Sequence, residues 1–168
     1  ISVGHIDSKF GISLHQMRHL TRIIDHFGLD VEGLHMHTGS DIIEIDSFLR
    51  GADLLFEAAF SFPNLNYIDF GSGFKVAYKP GDITTDIEAL GEAMSGRFSA
   101  FCAGYGRPIR LLFEPGKFLV SEAGAFLTTV NSTKTTPSTV FAQVNSGFNH
   151  FPRPMLYDAY HHIENISN

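Results

Sequence analysis

Short apolar segments that run into glycine or polar clusters alternate along this chain with stretches whose apolar residues recur every three or four positions. This alternation narrows the choice of folds more than composition does. It is the pattern of strand-helix-strand units around a parallel sheet, since strands bury a two-residue period and helices a 3.6-residue one. Ser13 is placed to cap a helix reaching about Phe27, with Leu14, Met17, Leu20, Ile24 and Phe27 on one face and Gly28 as its stop. Leu29 to Met36 reads as a strand leading into Thr38-Gly39-Ser40. A second helix is predicted from Asp41 to Phe60, burying Ile45, Phe48, Leu49, Ala52, Leu55, Phe56 and Ala59, with Pro63 beyond its end. Asn66 to Phe70 is a strand that runs into Gly71-Ser72-Gly73. A third helix is predicted from about Thr84 to Phe101, with Ile87, Leu90, Met94, Phe98 and Phe101 facing inward. Pro108 to Phe113 is a further strand, followed by Glu114-Pro115-Gly116.

Past Val120 the character changes. Phe126 to Val130 and Thr139 to Val144 are β-branched and strand-like, separated by a turn at Thr133-Lys134-Thr135-Thr136-Pro137. The expectation is an α/β segment over residues 1–120 and the beginning of an all-β domain over 121–168. Three or four parallel strands do not close a barrel, for which eight is the common number. The α/β part is therefore either a piece of a barrel or an open sheet.

The 168 residues carry 12 Lys and Arg against 18 Asp and Glu, a formal net charge of −6, which argues against nucleic acid as the main partner. No apolar run approaches the roughly 20 residues of a membrane span. The single cysteine, Cys102, has no partner for an internal disulfide, which suits a cytoplasmic protein. Ile1-Ser2-Val3-Gly4-His5 has neither a basic n-region nor an apolar h-region, so no signal peptide is expected. The chain opens on Ile rather than Met, which points to a processed chain or an excerpt.

Each predicted strand delivers polar or glycine residues at its C-terminal end, where parallel α/β proteins place their active sites. In the first such cluster His35 and His37 point the same way, because strand side chains alternate. Three readings stand. The pair could begin a zinc site, but the later strand ends offer no His, so no metal is expected. One imidazole could lie against a flat aromatic cofactor, with Gly39 and Ser40 lending donors to an anion. Or both histidines could simply be tied to neighbours. Gly71-Ser72-Gly73 is either a phosphate-binding turn, where missing Cβ atoms let N–H groups close in, or a plain tight turn. It lacks the third glycine of the dinucleotide fingerprint. Glu114 follows three apolar residues, and a carboxylate so placed wants a cationic partner, an Arg or a protonated pyridine nitrogen. Lys117 could meet a phosphate or a substrate carboxylate. The alternative is a solvated turn. Arg153, flanked by Pro152 and Pro154, is held in a restricted backbone suited to two-point carboxylate binding, and Tyr157 could add a hydroxyl. The alternative there is a surface loop.

Six segments in order carry a family resemblance: Ser8-Lys9-Phe10-Gly11-Ile12, His37-Thr38-Gly39-Ser40, Asp69-Phe70-Gly71-Ser72-Gly73-Phe74, Glu114-Pro115-Gly116-Lys117, Asn145-Ser146-Gly147-Phe148-Asn149, and Arg153 through His161. Together they resemble the diaminopimelate decarboxylase family, pyridoxal-phosphate enzymes of the alanine-racemase-like barrel class, over nearly the whole chain. The resemblance implies the second half of a (β/α)8 barrel followed by the start of a C-terminal β domain. It also implies decarboxylation of meso-diaminopimelate to L-lysine, with pyridoxal 5'-phosphate as electron sink. A homodimer acting on a small amino-acid substrate is implied as well.

By position, His37 matches the imidazole packed on the pyridine ring, and Ser40, Gly71, Ser72 and Gly73 match the phosphate site. Glu114 matches the carboxylate at the pyridinium nitrogen, and Pro115 and Gly116 belong to the same cofactor-binding turn. Lys117 stands where the family usually has an Arg that contacts substrate or phosphate. Arg153 and Tyr157 match substrate-holding residues. Three departures stand out: Lys for Arg at 117, Ser for Gly at 72, and the absence of a match to the Schiff-base lysine among Lys9, Lys75, Lys79, Lys117 and Lys134. Cys102 does not match the catalytic cysteine. The 168 residues alone are therefore expected to be inactive. The rival readings are a related decarboxylase of ornithine or arginine, a metal-dependent barrel hydrolase, and a non-catalytic relative without the lysine.

Overall fold

The computed structural model describes residues 7–167; the residues at 1–5 read above for targeting character lie outside them. The chain divides into two compact units. The first comprises Ile1–Val76 with Ile83–Ser121, and the second Ala77–Asp82 with Glu122–Asn168.

In the first unit the Ser13 side chain accepts from the His15 N–H and opens a single 3-10 turn. Helix α1 (Met17–Phe27) follows and ends at Gly28. Its inward face is narrower than predicted. Met17, Leu20 and Ile24 pack on the core, while Leu14 and Phe27 at the two ends of the stripe are 51% and 67% exposed.

Strands β1 (Gly33–His35), β2 (Tyr67–Asp69) and β3 (Arg110–Leu112) form a parallel sheet in that order, each shorter than the segment predicted around it. The register aligns Gly33 with Tyr67 and Arg110, and His35 with Asp69 and Leu112. The sheet is α/β as expected, and the central strand's Ile68 is fully buried.

Helix α2 (Ile45–Ala59) begins four residues later than Asp41, where the helix was predicted to start. The intervening residues are engaged elsewhere. Asp41 is left-handed at φ +62°, the Ile42 N–H donates to the Gly73 carbonyl at 2.8 Å, and the Thr85 hydroxyl donates to the Ile42 carbonyl. Helix α3 (Ile87–Tyr105) starts three residues after Thr84, because the Asp86 carboxylate caps it by accepting the Ala89 N–H at 3.0 Å. It runs past Phe101 to Tyr105, whose hydroxyl donates to the Phe62 carbonyl and accepts the Leu65 N–H. A short helix α4 (Gly116–Val120) was not anticipated.

The core lies between α2, α3 and the sheet: Phe48, Leu49, Ala52, Phe56 and Ala59 from α2, Leu90, Met94 and Phe101 from α3, and Leu65, Ile68, Phe70 and Phe74 from the β2 region. Phe48 sits 6.1, 6.0 and 6.4 Å from the rings of Phe70, Phe74 and Phe113. Phe70 and Phe74 bracket Gly71-Ser72-Gly73, so this turn is pinned on both sides by buried aromatic rings.

In the second unit β4 (Val130–Thr135) and β5 (Val140–Val144) pair as an antiparallel hairpin. Two expectations are corrected. The strand predicted at Phe126–Val130 begins where that segment ends, and Thr133–Thr135 belongs to β4 rather than to the turn. The chain reverses between Thr136 and Thr139, where the Thr136 N–H and hydroxyl both reach the Thr139 carbonyl. A second unanticipated helix, α5 (Arg153–Tyr157), follows Pro152 and gives way to a left-handed Asp158. No helix among the described residues is long and apolar enough to cross a membrane.

Candidate functional site

Because β1, β2 and β3 are parallel and in register, the segments that follow them emerge side by side. His35 and Asp69 are the paired last residues of β1 and β2, and Glu114 lies two residues past β3. His35 Nε2 lies 3.4 Å from Glu114 Oε2, and the ligating atoms of His35, Asp69 and Glu114 all fall within 4.8 Å of one another. The backbone sets this geometry. The Glu114 N–H donates to the Gly71 carbonyl at 2.7 Å, and Asp69 Oδ1 accepts the Gly71 N–H at 2.8 Å.

Gly71 and Gly73 both have positive φ, +58° and +116°. A Cβ at Gly71 would lie 2.7 Å from His37 Nδ1, and one at Gly73 would lie 2.0 Å from the Gly39 carbonyl oxygen. Only glycine therefore lets the two loops close on each other. His37 lies along this turn, with Nδ1 accepting the Ser72 N–H at 3.4 Å. The Ser72 hydroxyl oxygen accepts the N–H of Gly73, so this departure from glycine is used inside the turn. Thr38 Oγ1 is buried without a hydrogen-bond partner.

Lys117, from α4, donates to Asp41 Oδ1 at 2.6 Å and so ties the loop after β3 to the loop after β1. Burial raises the pKa of the Asp41 carboxyl, but the hydrogen bond and charge of Lys117, with the charge of Lys75, outweigh it and hold the group below the ordinary carboxylate value. Asp41 and Thr38 also line a cleft of about 360 Å3 together with Ile42, Ile43, Glu44, Ser47 and Phe48.

Of the residues expected at the site, His37, Gly71, Ser72, Gly73, Glu114, Pro115, Gly116 and Lys117 lie at this end of the sheet, on the loops just described. Ser40 is exposed in the loop after β1. Arg153 and Tyr157 belong to the second unit, where the Arg153 guanidinium stands 5.0 Å from the Tyr78 ring and 5.9 Å from the Tyr157 ring. The histidine pair is split. His35 groups with Asp69 and Glu114, whereas His37 faces the glycine turn, so the two do not share a ligand set. The partnership of His35 and Asp69 with Glu114, and that of Asp41 with Lys117, went unread in the sequence. The alternation that set His35 and His37 on one side was available, but the strand register that brings Asp69 beside His35 was not.

This donor set fits a planar, phosphorylated ring. It combines an imidazole, a carboxylate, a glycine turn packed tightly against the loop after β1, and a buried hydroxyl with no partner.

Comparison with known proteins shows the family of the chain. Residues 1–121 match the family model described as the pyridoxal-binding domain of pyridoxal-dependent decarboxylases, and the chain belongs to that family. It is similar to the diaminopimelate decarboxylase of Methanothermobacter thermautotrophicus, 33% identical over 163 residues that cover 93% of this chain and 38% of that protein. The Escherichia coli K12 diaminopimelate decarboxylase is 32% identical over 168 residues, covering 99% of this chain and 40% of that one. Among solved structures, one of diaminopimelate decarboxylase matches with a TM-score of 0.87 at 30% identity, covering 96% of this chain and 38% of that chain. Another, from M. jannaschii in co-complex with L-lysine, matches with a TM-score of 0.78 at 26% identity, covering 94% and 38%. The chain thus spans 38% to 40% of the length of these relatives.

Proposed function

We propose that the complete protein carrying this chain decarboxylates meso-diaminopimelate to L-lysine with pyridoxal 5'-phosphate. The observation that carries the reading is the gathering of His37, the Gly71-Ser72-Gly73 turn and Glu114 at the ends of three parallel strands. The names of the most similar relatives support the substrate. In this reading residues 1–120 are the second half of a (β/α)8 barrel and 121–168 open a C-terminal β domain. A cytoplasmic homodimer is part of the same proposal.

When bound, the cofactor supplies an electron sink for the carbanion left by carbon dioxide loss. His37, held along the glycine turn, offers its imidazole face to the ring. Gly71 and Gly73 let the loops after β1 and β2 pack backbone to backbone and so shape the turn assigned to the phosphate, and Ser40 adds an exposed hydroxyl. Glu114, at the strand end, would accept a hydrogen bond from the protonated pyridine nitrogen. Pro115 and Gly116 turn the chain so that Lys117 crosses to Asp41, leaving a single ammonium where the family's planar fork would stand. Arg153 and Tyr157 are assigned to the amino-acid substrate, with the Arg153 guanidinium 5.0 Å from the Tyr78 ring and 5.9 Å from the Tyr157 ring. The reading requires a covalently reacting lysine and an acidic cysteine beyond these 168 residues, so the chain alone is inactive.

The test is to purify the complete protein, add pyridoxal 5'-phosphate, and supply meso-diaminopimelate, ornithine and arginine separately. Lysine and carbon dioxide from the first substrate support the proposal. Turnover of ornithine or arginine instead, or none, overturns it.

A further inference from the structure

We propose that His35 is a positioning residue for the Glu114 carboxylate. The inference rests on the reading of Glu114 above and deepens it. His35 Nε2 stands 3.4 Å from Glu114 Oε2, across 79 residues of sequence, and the two side chains are 51% and 57% exposed. Close packing therefore does not force the contact; polar complementarity holds it. The main chain of Glu114 is fixed separately, by its N–H on the Gly71 carbonyl. A glutamate side chain has three rotatable bonds beyond that anchor, and His35 provides a second fixed point for them.

The third member explains why an imidazole is suited to this place. Asp69 sits beside His35 in the strand register, and its carboxylate lies within the same 4.8 Å group. Two carboxylates this close repel. Asp69 is partly engaged, since its Oδ1 accepts the Gly71 N–H. Of the three side chains His35 is the one that carries a ring N–H suited to donate to a carboxylate. With that proton on Nε2, it donates to Glu114 Oε2 and leaves Oε1 to face another donor. His35 thereby presents Glu114 in one orientation, without itself meeting the ring.

The experiment compares the complete protein with its His35→Phe and His35→Gln variants. The readouts are pyridoxal 5'-phosphate affinity and the visible absorption of the bound cofactor, with melting of the cofactor-free protein as a check on folding. Phe fills the space and cannot donate; Gln can donate from a similar reach. The expected result is a roughly tenfold weaker affinity and an altered absorption band in His35→Phe, the scale of one lost hydrogen bond. Recovery to within about threefold of wild type is expected in His35→Gln. Wild-type affinity and spectrum in His35→Phe, or equal losses in both variants, would overturn the assignment while leaving the site reading intact. A wild-type protein that takes up no cofactor overturns the site reading, and this inference with it.

Discussion

A Cβ placed on Gly73 would lie 2.0 Å from the carbonyl oxygen of Gly39. The loops after β1 and β2 therefore meet backbone to backbone, and the contact continues into the parallel bridge between Ile42 and Phe74. Gly73→Ala must push these loops apart and also hold an L-residue at φ +116°. The expected cost is about 2–4 kcal/mol of stability with loss of cofactor binding. Denaturant unfolding checks it, and a change under about 0.5 kcal/mol would contradict the close approach. Gly96→Ala is the control, because Gly96 is exposed on α3 with nothing within 4 Å of its Cβ. It should stabilise by about 0.5–1 kcal/mol.

Phe48 anchors the same region from below. It is 1% exposed and touches Phe70 and Phe74, the two residues that bracket the glycine turn. Phe48→Ala is expected to cost about 3–5 kcal/mol and to loosen the turn. Chemical denaturation of the variant checks this, and a loss below about 1 kcal/mol would show that the ring cluster is not the core.

The ion pair between Lys117 and Asp41 has a defined pH signature. The Asp41 carboxyl is held below its ordinary value of 3.8, chiefly by Lys117 acting against burial, so folding favours its ionised form. The stabilisation is present above about pH 4 and is lost as pH falls through the depressed value. Asp41 is 47% exposed, so solvent screening limits the effect to under about 1 kcal/mol. Wild type and Asp41→Asn should differ in stability at pH 7, and the gap should shrink below pH 4 and in high salt. A gap that widens on acidification would contradict the pairing.

Glu114→Gln tests the proposed role of Glu114 as acceptor at the ring nitrogen. It keeps size and removes the negative charge beside His35. The turnover of the complete protein should fall by roughly 100-fold, the scale of losing one electrostatic stabiliser. Unchanged turnover would remove Glu114 from the mechanism.

The three long helices and the general course of the parallel strands were legible because their signals are local, whereas the five-residue helices α4 and α5 were not. Gly28 ends the first helix as its chemistry dictates, whereas Ser13 caps a 3-10 turn and the helix itself begins at Met17. Boundaries failed where distant partners compete. Asp41 to Glu44 read as helix, yet Gly73 and Thr85 take the hydrogen-bonding groups of Ile42. The strand predicted at Phe126–Val130 rested on residue type, which carries no register, and the hairpin formed one segment later. At the site, His37, the glycine turn and Glu114 were readable from their place at strand ends. The contacts of His35 with Glu114 and of Asp41 with Lys117 span 79 and 76 residues, and no local pattern encodes them.

The most direct test of the whole account is a crystal structure of the complete protein with pyridoxal 5'-phosphate. The ring is expected against His37, the phosphate over Gly71 to Gly73, and the pyridine nitrogen within hydrogen-bonding distance of Glu114. Density for the cofactor elsewhere, or a Glu114 turned away from its nitrogen, would contradict it.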